Sequence, residues 1–170
     1  SVKRVAQGQA SRHLHDAAEV GALLRARLPS GDFVLGGRRP VVLVSAGIGV
    51  TPLLSMLHAL AAEGGERPVL FVHGARDGRH HPLASEIRGL AAKRAGISVH
   101  VAYSRPLPDD TAHDSVGRVD GALLARLAPP PDAHYYLCGP AAFMAALQGD
   151  LEGRGVSVRR IHTESFGPVG

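Results

Sequence analysis

Val41-Val42-Leu43-Val44-Ser45-Ala46-Gly47-Ile48-Gly49-Val50-Thr51-Pro52 decides the fold. Its first five residues form an almost unbroken apolar run rich in β-branched side chains. Such a run lacks the alternation of a half-solvated strand, so it predicts a parallel strand covered on both faces. Gly47 and Gly49 end it and allow a tight turn. Leu53, Met56, Leu57 and Leu60 then recur at helical spacing. The helix is expected over Pro52–Glu63, with Thr51 as N-cap, Pro52 at the first helical position and Gly64-Gly65 as its stop.

The same unit repeats downstream. Strands are expected at Val69–Val72, Ile97–Tyr103, His134–Cys138 and Val158–Thr163. Helices are expected at Leu83–Arg94 (stopped by Gly96), Asp120–Leu127 and Ala141–Arg154, with Gly155 just past the last one. Ser104–Arg118 reads as a polar loop. Strands alternating with helices of about ten residues make βαβ units. The predicted fold is α/β: a doubly wound, five-stranded parallel sheet with helices on both faces and ligands at the carboxyl ends of its strands.

Residues 1–38 read differently. Ser1–Val5 resembles a strand end, and Ser11–Ala18 one or two helical turns. Leu23–Leu28 and Asp32–Leu35 look like short strands, with turn signals at Val20-Gly21 and Pro29–Gly31. This is too little for a domain. It is expected to be the last part of an antiparallel β-barrel, with Gly36–Arg39 as the boundary. The expected domains are therefore 1–38 and 39–170.

The 170 residues are 45% hydrophobic and 20% charged, an ordinary globular balance. The net charge of +4 comes from basic residues spread thinly, without aromatic interleaving, which argues against nucleic-acid binding. One cysteine, Cys138, permits no internal disulfide and suits a cytoplasmic setting. No apolar stretch approaches the ~20 residues of a membrane-spanning helix. His73, His80, His81 and Glu86 do not suggest a metal shell, because adjacent His80 and His81 point apart. No Gly-x-Ser-x-Gly elbow supports a hydrolase.

Four motifs carry chemistry. Gly47, Ile48, Gly49, Thr51 and Pro52 lie where a strand turns into a helix start, whose N–H groups and dipole suit a diphosphate. The alternative is a tight turn that binds nothing. Tyr136-Leu137-Cys138-Gly139-Pro140 ends the fourth expected strand. Cys138 there either lines a pocket or serves as a small core hydrophobe. Tyr103-Ser104-Arg105-Pro106 ends the third, where Ser104 and Arg105 can hold a ribose hydroxyl or a 2′-phosphate, or simply form a solvated loop. His162-Thr163-Glu164-Ser165-Phe166-Gly167-Pro168 follows the last. Its aromatic and carboxylate can cover a flat cofactor, or form a frayed end with one packed Phe.

Taken together, these motifs resemble the ferredoxin–NADP⁺ reductase-like flavoenzyme superfamily over nearly the whole chain. The most similar subgroups are the reductase part of flavohaemoglobins and reductase modules fused to MOSC domains. The resemblance extends to Gly8-Gln9-Ala10-Ser11, Leu14-His15-Asp16 and Pro29–Phe33, which look like the end of the family's FAD-binding barrel. It implies that NAD(P)H binds with its diphosphate on residues 47–51, and that FAD lies against Val2, Lys3, Gly8, Ala10, Ser11 and Phe166. It implies that Gly139 and Pro140 line the nicotinamide side, with Cys138 placing the nicotinamide and Glu164 assisting proton movement. The family's Arg-x-Tyr-Ser flavin motif precedes Ser1, so FAD is expected to bind this chain alone weakly or not at all.

The expected function is an NAD(P)H-dependent flavin oxidoreductase module that passes electrons on. Its acceptor is expected to be an iron–sulfur, haem or other group; since no C-x4-C-x2-C is present, a ferredoxin-like [2Fe–2S] domain, or a haem domain, would lie outside this chain. The alternatives are a non-catalytic dinucleotide-binding module and an α/β interaction domain without a ligand. Ser104 and Arg105 would favour NADPH. Asp109 and Asp110 would oppose it.

Overall fold

The computed structural model describes residues 2–26, 28 and 30–166. The expectations that fall on Ser1, Pro29, Gly167 and Pro168 lie outside these. The chain divides into two compact units, Ser1–Val34 and Leu35–Gly170.

The first unit holds one helix, α1 (Gln9–Asp16). Arg4 pairs with Asp16 through two hydrogen bonds of 3.0 and 2.9 Å. The Val5 N–H donates to Ser11 Oγ at 3.1 Å, which folds the segment before the helix onto its first turn. The expected strands do not form. Residues 2–5, the described residues of 23–28, and 32–35 are all outside strands. A strand needs a neighbour for its N–H and C=O groups, and this unit supplies none among the described residues. Leu23, Leu24, Leu28 and Val34 are exposed. The helix also starts two residues earlier than expected.

The second unit is the predicted parallel sheet with one more strand. Its elements are β1 (Val41–Ala46), α2 (Val50–Ala62), β2 (Val69–Ala75), α3 (Ala84–Lys93), β3 (Ile97–Tyr103), β4 (Ser115–Val116), α4 (Gly121–Arg126), β5 (His134–Cys138), α5 (Ala141–Gly153) and β6 (Ile161–Glu164). The strand order is β4-β3-β2-β1-β5-β6, all parallel. The additional strand, β4, pairs only Ser115 with Ala102 and Val116 with Tyr103. Two residues inside a polar loop carry no periodicity, which is why the sequence pattern shows none there. The last strand starts at Ile161, because Val158–Arg160 form a 3₁₀ turn.

Alternation along the strands separates the two faces. Val42, Val44, Leu70, Val72, Tyr135 and Leu137 join Leu123 and Leu124 of α4 and Met144, Leu147 and Leu151 of α5 in one buried cluster. On the other face α2 packs on β1 and β5, and α3 on α2 and β3. Leu43, Phe71, Leu53, Leu57, Leu60 and Ile87 are fully buried there. Each such side chain contributes about 1.5–3 kcal/mol by leaving water. Arg94, just after α3, is buried with them. Its guanidinium donates to the carbonyls of Leu60, Gly65 (3.2 Å) and Arg67 (3.3 Å), which closes the C-terminal end of α2. No helix among the described residues is long and apolar enough to cross a membrane.

Candidate functional site

The sheet order places the topological switch between β1 and β5. From β1 the chain proceeds to β2, β3 and β4 on one side, and β5 and β6 fill the other. In open parallel sheets ligands bind outside the carboxyl ends of the two strands at such a point, here β1 and β5. Both motifs with glycines at strand ends lie here.

Gly47 adopts φ +56°, and a Cβ there would meet no atom of the described residues within 4 Å. Gly47–Gly49 form a 3₁₀ turn that runs directly into α2. The leading N–H groups of such a turn have no partner within the helix and carry the positive end of its dipole. Thr51 is not the N-cap: it lies inside α2, and its Oγ1 donates to the Ile48 carbonyl at 3.0 Å. The cap position is Gly49, because the 3₁₀ turn runs into the helix at Val50, before the point where the sequence pattern set its start. Pro52 consequently sits in the first turn of α2 rather than at its first residue, where its missing N–H still costs no helical bond.

Gly49 is buried against the end of β5. A Cβ at this position would lie 2.0 Å from the Cys138 carbonyl oxygen. Gly139 is less constrained: its would-be Cβ would lie 3.0 Å from the Phe143 ring, a side chain rather than backbone. Pro140 is exposed and forms the N-cap of α5.

Ser45, Cys138 and Glu164 are register partners on three adjacent strands. Parallel register places their side chains on the same face of the sheet. Cys138 is fully buried. Burial, and secondarily the Glu164 carboxylate, push its thiol up to about 12. It is therefore a neutral thiol near pH 7 and not a nucleophile. Glu164 is half-buried, and its Oε1 accepts the Ser165 N–H at 3.1 Å. Phe166 follows and is exposed.

Beyond β2 and β3, backbone bonds fix the third motif. The Ser104 N–H donates to the Ala75 carbonyl at 3.0 Å and the Arg105 N–H to the Arg76 carbonyl at 2.8 Å. The Arg105 side chain is exposed. Asp110 accepts from the Gly78 N–H (3.1 Å) and the Leu107 N–H (2.7 Å), so its carboxylate folds this loop. Asp109 is exposed.

In the first unit, Gly8 precedes α1 at its N-cap, and Ser11 Oγ donates to its carbonyl at 3.4 Å. Val2, Lys3 and Ala10 are exposed, and Ser11 is half-buried.

One group escaped sequence reasoning. Ser45 Oγ hydrogen-bonds His73 Nδ1 at 2.8 Å, and the His73 ring stacks on His81 at 4.9 Å. His81 Nδ1 hydrogen-bonds Tyr103 Oη at 2.9 Å, and Tyr103 stacks on His113 at 4.9 Å. The signal available was a serine and a histidine interrupting two apolar strands near their carboxyl ends. Their pairing needed the β1–β2 register, in which Ser45 faces His73.

The sequence profile of the oxidoreductase NAD-binding domain family matches residues 43–149. The chain belongs to the oxidoreductase NAD-binding domain family. It is 38% identical over 175 residues to a flavohemoprotein of Oceanobacillus iheyensis and 40% identical over 172 residues to one of Deinococcus radiodurans. Each match covers 99% of this chain and 43% of the relative, so this member of the family spans less than half the length of those proteins. Among solved structures it is similar to the flavohem-like FAD/NAD binding domain of nitric oxide dioxygenase from Vibrio cholerae O1 biovar El Tor. That match has a TM-score of 0.87 and 36% identity, covering 98% of this chain and 70% of the other. Flavohemoglobin from Malassezia yamatoensis, solved with bound FAD and heme, matches at a TM-score of 0.83 and 32% identity, covering 98% of this chain and 43% of the other.

Proposed function

We propose that this chain is the nicotinamide-nucleotide-binding part of a flavin reductase whose electrons pass to a haem domain, as in the flavohemoproteins it resembles. One observation carries the reading: the glycine turn 47–49 after β1 and Gly139 after β5 flank the switch point between these two strands. The Gly47 conformation and the open space above it fit a diphosphate approaching the backbone closely. A reduced nicotinamide supplies a hydride, and a flavin accepts it and releases electrons singly.

The protein residues divide the remaining work. The N–H groups of Gly47, Ile48 and Gly49 hold the diphosphate, with Thr51 bracing the turn and Pro52 starting the helix behind it. Ser104 and Arg105 hold the adenosine ribose. Gly139 and Pro140 lie on the nicotinamide side, beside a floor to which the neutral Cys138 thiol contributes. Glu164 holds or moves a proton at the edge of that floor. Phe166, exposed, covers the flavin ring. The start of α1 at Gly8, with Ala10 and Ser11 in its first turn, receives the FAD diphosphate, and Val2 and Lys3 lie along the flavin. Residues 1–38 then form the flavin-side piece and 39–170 the nucleotide domain. A cytoplasmic setting suits the single buried cysteine.

Calorimetric titration of the 170-residue chain with NADH and NADPH tests the nucleotide half. Saturable binding of at least one is expected. Stopped-flow reduction of the whole protein, read at the flavin absorption band, tests the flavin half. No binding of either nucleotide overturns the reading, and a colourless whole protein leaves a nucleotide module without flavin.

A further inference from the structure

Four buried polar side chains run across the ends of β1, β2 and β3. Ser45 and His73 are bonded at 2.8 Å, His73 and His81 are stacked 4.9 Å apart at 23°, and His81 and Tyr103 are bonded at 2.9 Å. Ser45 and His73 are completely buried, and His81 and Tyr103 nearly so. At one end Ser45 stands two residues before Gly47. At the other Tyr103 immediately precedes Ser104 and Arg105. The chain of contacts thus joins the bases of the two segments that flank the adenosine half of the site.

This arrangement is expensive as packing. His73 Nε2 and His81 Nε2 are buried without a hydrogen-bond partner among the described residues. An unsatisfied buried polar atom costs roughly 1–3 kcal/mol, which an apolar side chain of similar volume avoids. Departures of this kind from the best-packed core concentrate where a protein serves function. Desolvation, reinforced by neighbouring His81, holds His73 neutral well below pH 7. The two stacked rings therefore act as an uncharged spacer of fixed length.

We propose that Ser45, His73, His81 and Tyr103 are positioning residues that set the separation between the turn at 47–49 and Ser104–Arg105. In this way they set affinity for the adenosine diphosphate half of the nucleotide. The inference rests on the dinucleotide reading given above. Ser45 and Tyr103 do not touch, since two histidines lie between them. If they act through one chain, breaking it at either end has the same consequence, and breaking it at both ends adds nothing. Independent structural contributions at separated sites would add.

The experiment is calorimetric titration of the 170-residue chain with ADP-ribose, using wild type, Ser45→Ala, Tyr103→Phe and the double variant. Tyr103→Phe removes only Oη and keeps the ring that stacks on His113. Each single variant is expected to raise Kd about 3- to 10-fold, and the double variant no more than the larger single effect. His81→Asn, with the same expected rise, replaces any variant whose thermal melt shows that it has not folded. Kd values within twofold of wild type in both singles overturn the proposal. So does a double variant whose effect equals the product of the singles. Failure of the wild type to bind ADP-ribose overturns the dinucleotide reading instead.

Discussion

Gly49 lies so close beneath the carbonyl of Cys138 that a methyl group on its α-carbon would stand 2.0 Å from that oxygen. The obstructing atoms are backbone, at the end of a central strand, and cannot rotate away. Gly49→Ala therefore forces the 47–49 turn or the end of β5 to shift. Overpacking of this kind costs about 1–3 kcal/mol, and the backbone nature of the clash puts this case at the upper end. A fall in Tm of several degrees is expected by scanning calorimetry. A melt within one degree of wild type would show that the two turns do not abut.

Gly47, two residues earlier, makes the contrasting case. Its would-be Cβ meets no atom of the described residues within 4 Å, so the folding penalty of Gly47→Ala is the left-handed φ of +56°, about 1–2 kcal/mol. The added methyl group occupies the space through which a diphosphate reaches the backbone. Affinity for NADH or NADPH, measured by titration, should fall at least tenfold while Tm changes by only a few degrees. Unaltered affinity would place the diphosphate elsewhere.

The contrast shows what the sequence makes legible. Val41–Ser45, Gly47 and Gly49 mark a buried strand and a tight turn by residue type alone, and the five longer strands follow from apolar runs. Which glycine faces solvent and which faces Cys138 depends on the β1–β5 register, a long-range pairing that local pattern does not encode. β4 escaped notice because Ser115 and Val116 gain strand character only from the neighbouring Ala102 and Tyr103. The strands expected in residues 1–35 failed for the converse reason: local pattern suggests them, but among the described residues no neighbour pairs with them. Ser45 and His73 are each visible as exceptions in apolar runs, yet their bond is a property of the sheet.

Arg94 provides a stability prediction away from the site. Its side chain is 7% exposed and donates to three carbonyls, of Leu60, Gly65 and Arg67. Arg94→Met keeps much of the apolar stem but leaves those acceptors without their donor. Hydrogen bonds to a charged group contribute roughly 1.5–3 kcal/mol each, and water reaches some of the released carbonyls. A net loss of about 3 kcal/mol is expected in urea denaturation. A loss under 1 kcal/mol would mean that the end of α2 is closed without it.

Cys138 makes stability depend on alkaline pH. Its thiol is raised from 9.0 to about 12 by burial and then by Glu164. The folded state therefore keeps a proton that the unfolded chain releases. The contribution is fully present below pH 9 and is lost progressively as pH rises toward 12. Cys138→Ala removes that titration. The wild type's stability advantage over this variant should shrink steadily between pH 8.5 and 10.5 in parallel denaturant titrations. A constant difference would show that the thiol is not shielded as its burial implies.

His73 acts at the acid end with the opposite sign. Its ring is fully buried and its pKa is lowered from 6.5 to about 3, first by desolvation and then by His81. The unfolded chain therefore takes up a proton below pH 6.5 that the folded chain refuses. Stability from the neutral ring is present above pH 6.5 and is lost as pH falls toward 3. His81, His100, His134 and His162 are lowered as well, so the wild type alone does not isolate the effect. His73→Asn does, because an amide can still hydrogen-bond Ser45 but does not titrate. This variant should be less stable at pH 7.5, where it loses ring packing, and should lose less stability than wild type between pH 6.5 and 4.5. Parallel acid slopes for the two proteins would mean that protonation of His73 does not oppose folding, and would remove the neutral spacer from the Ser45–Tyr103 chain.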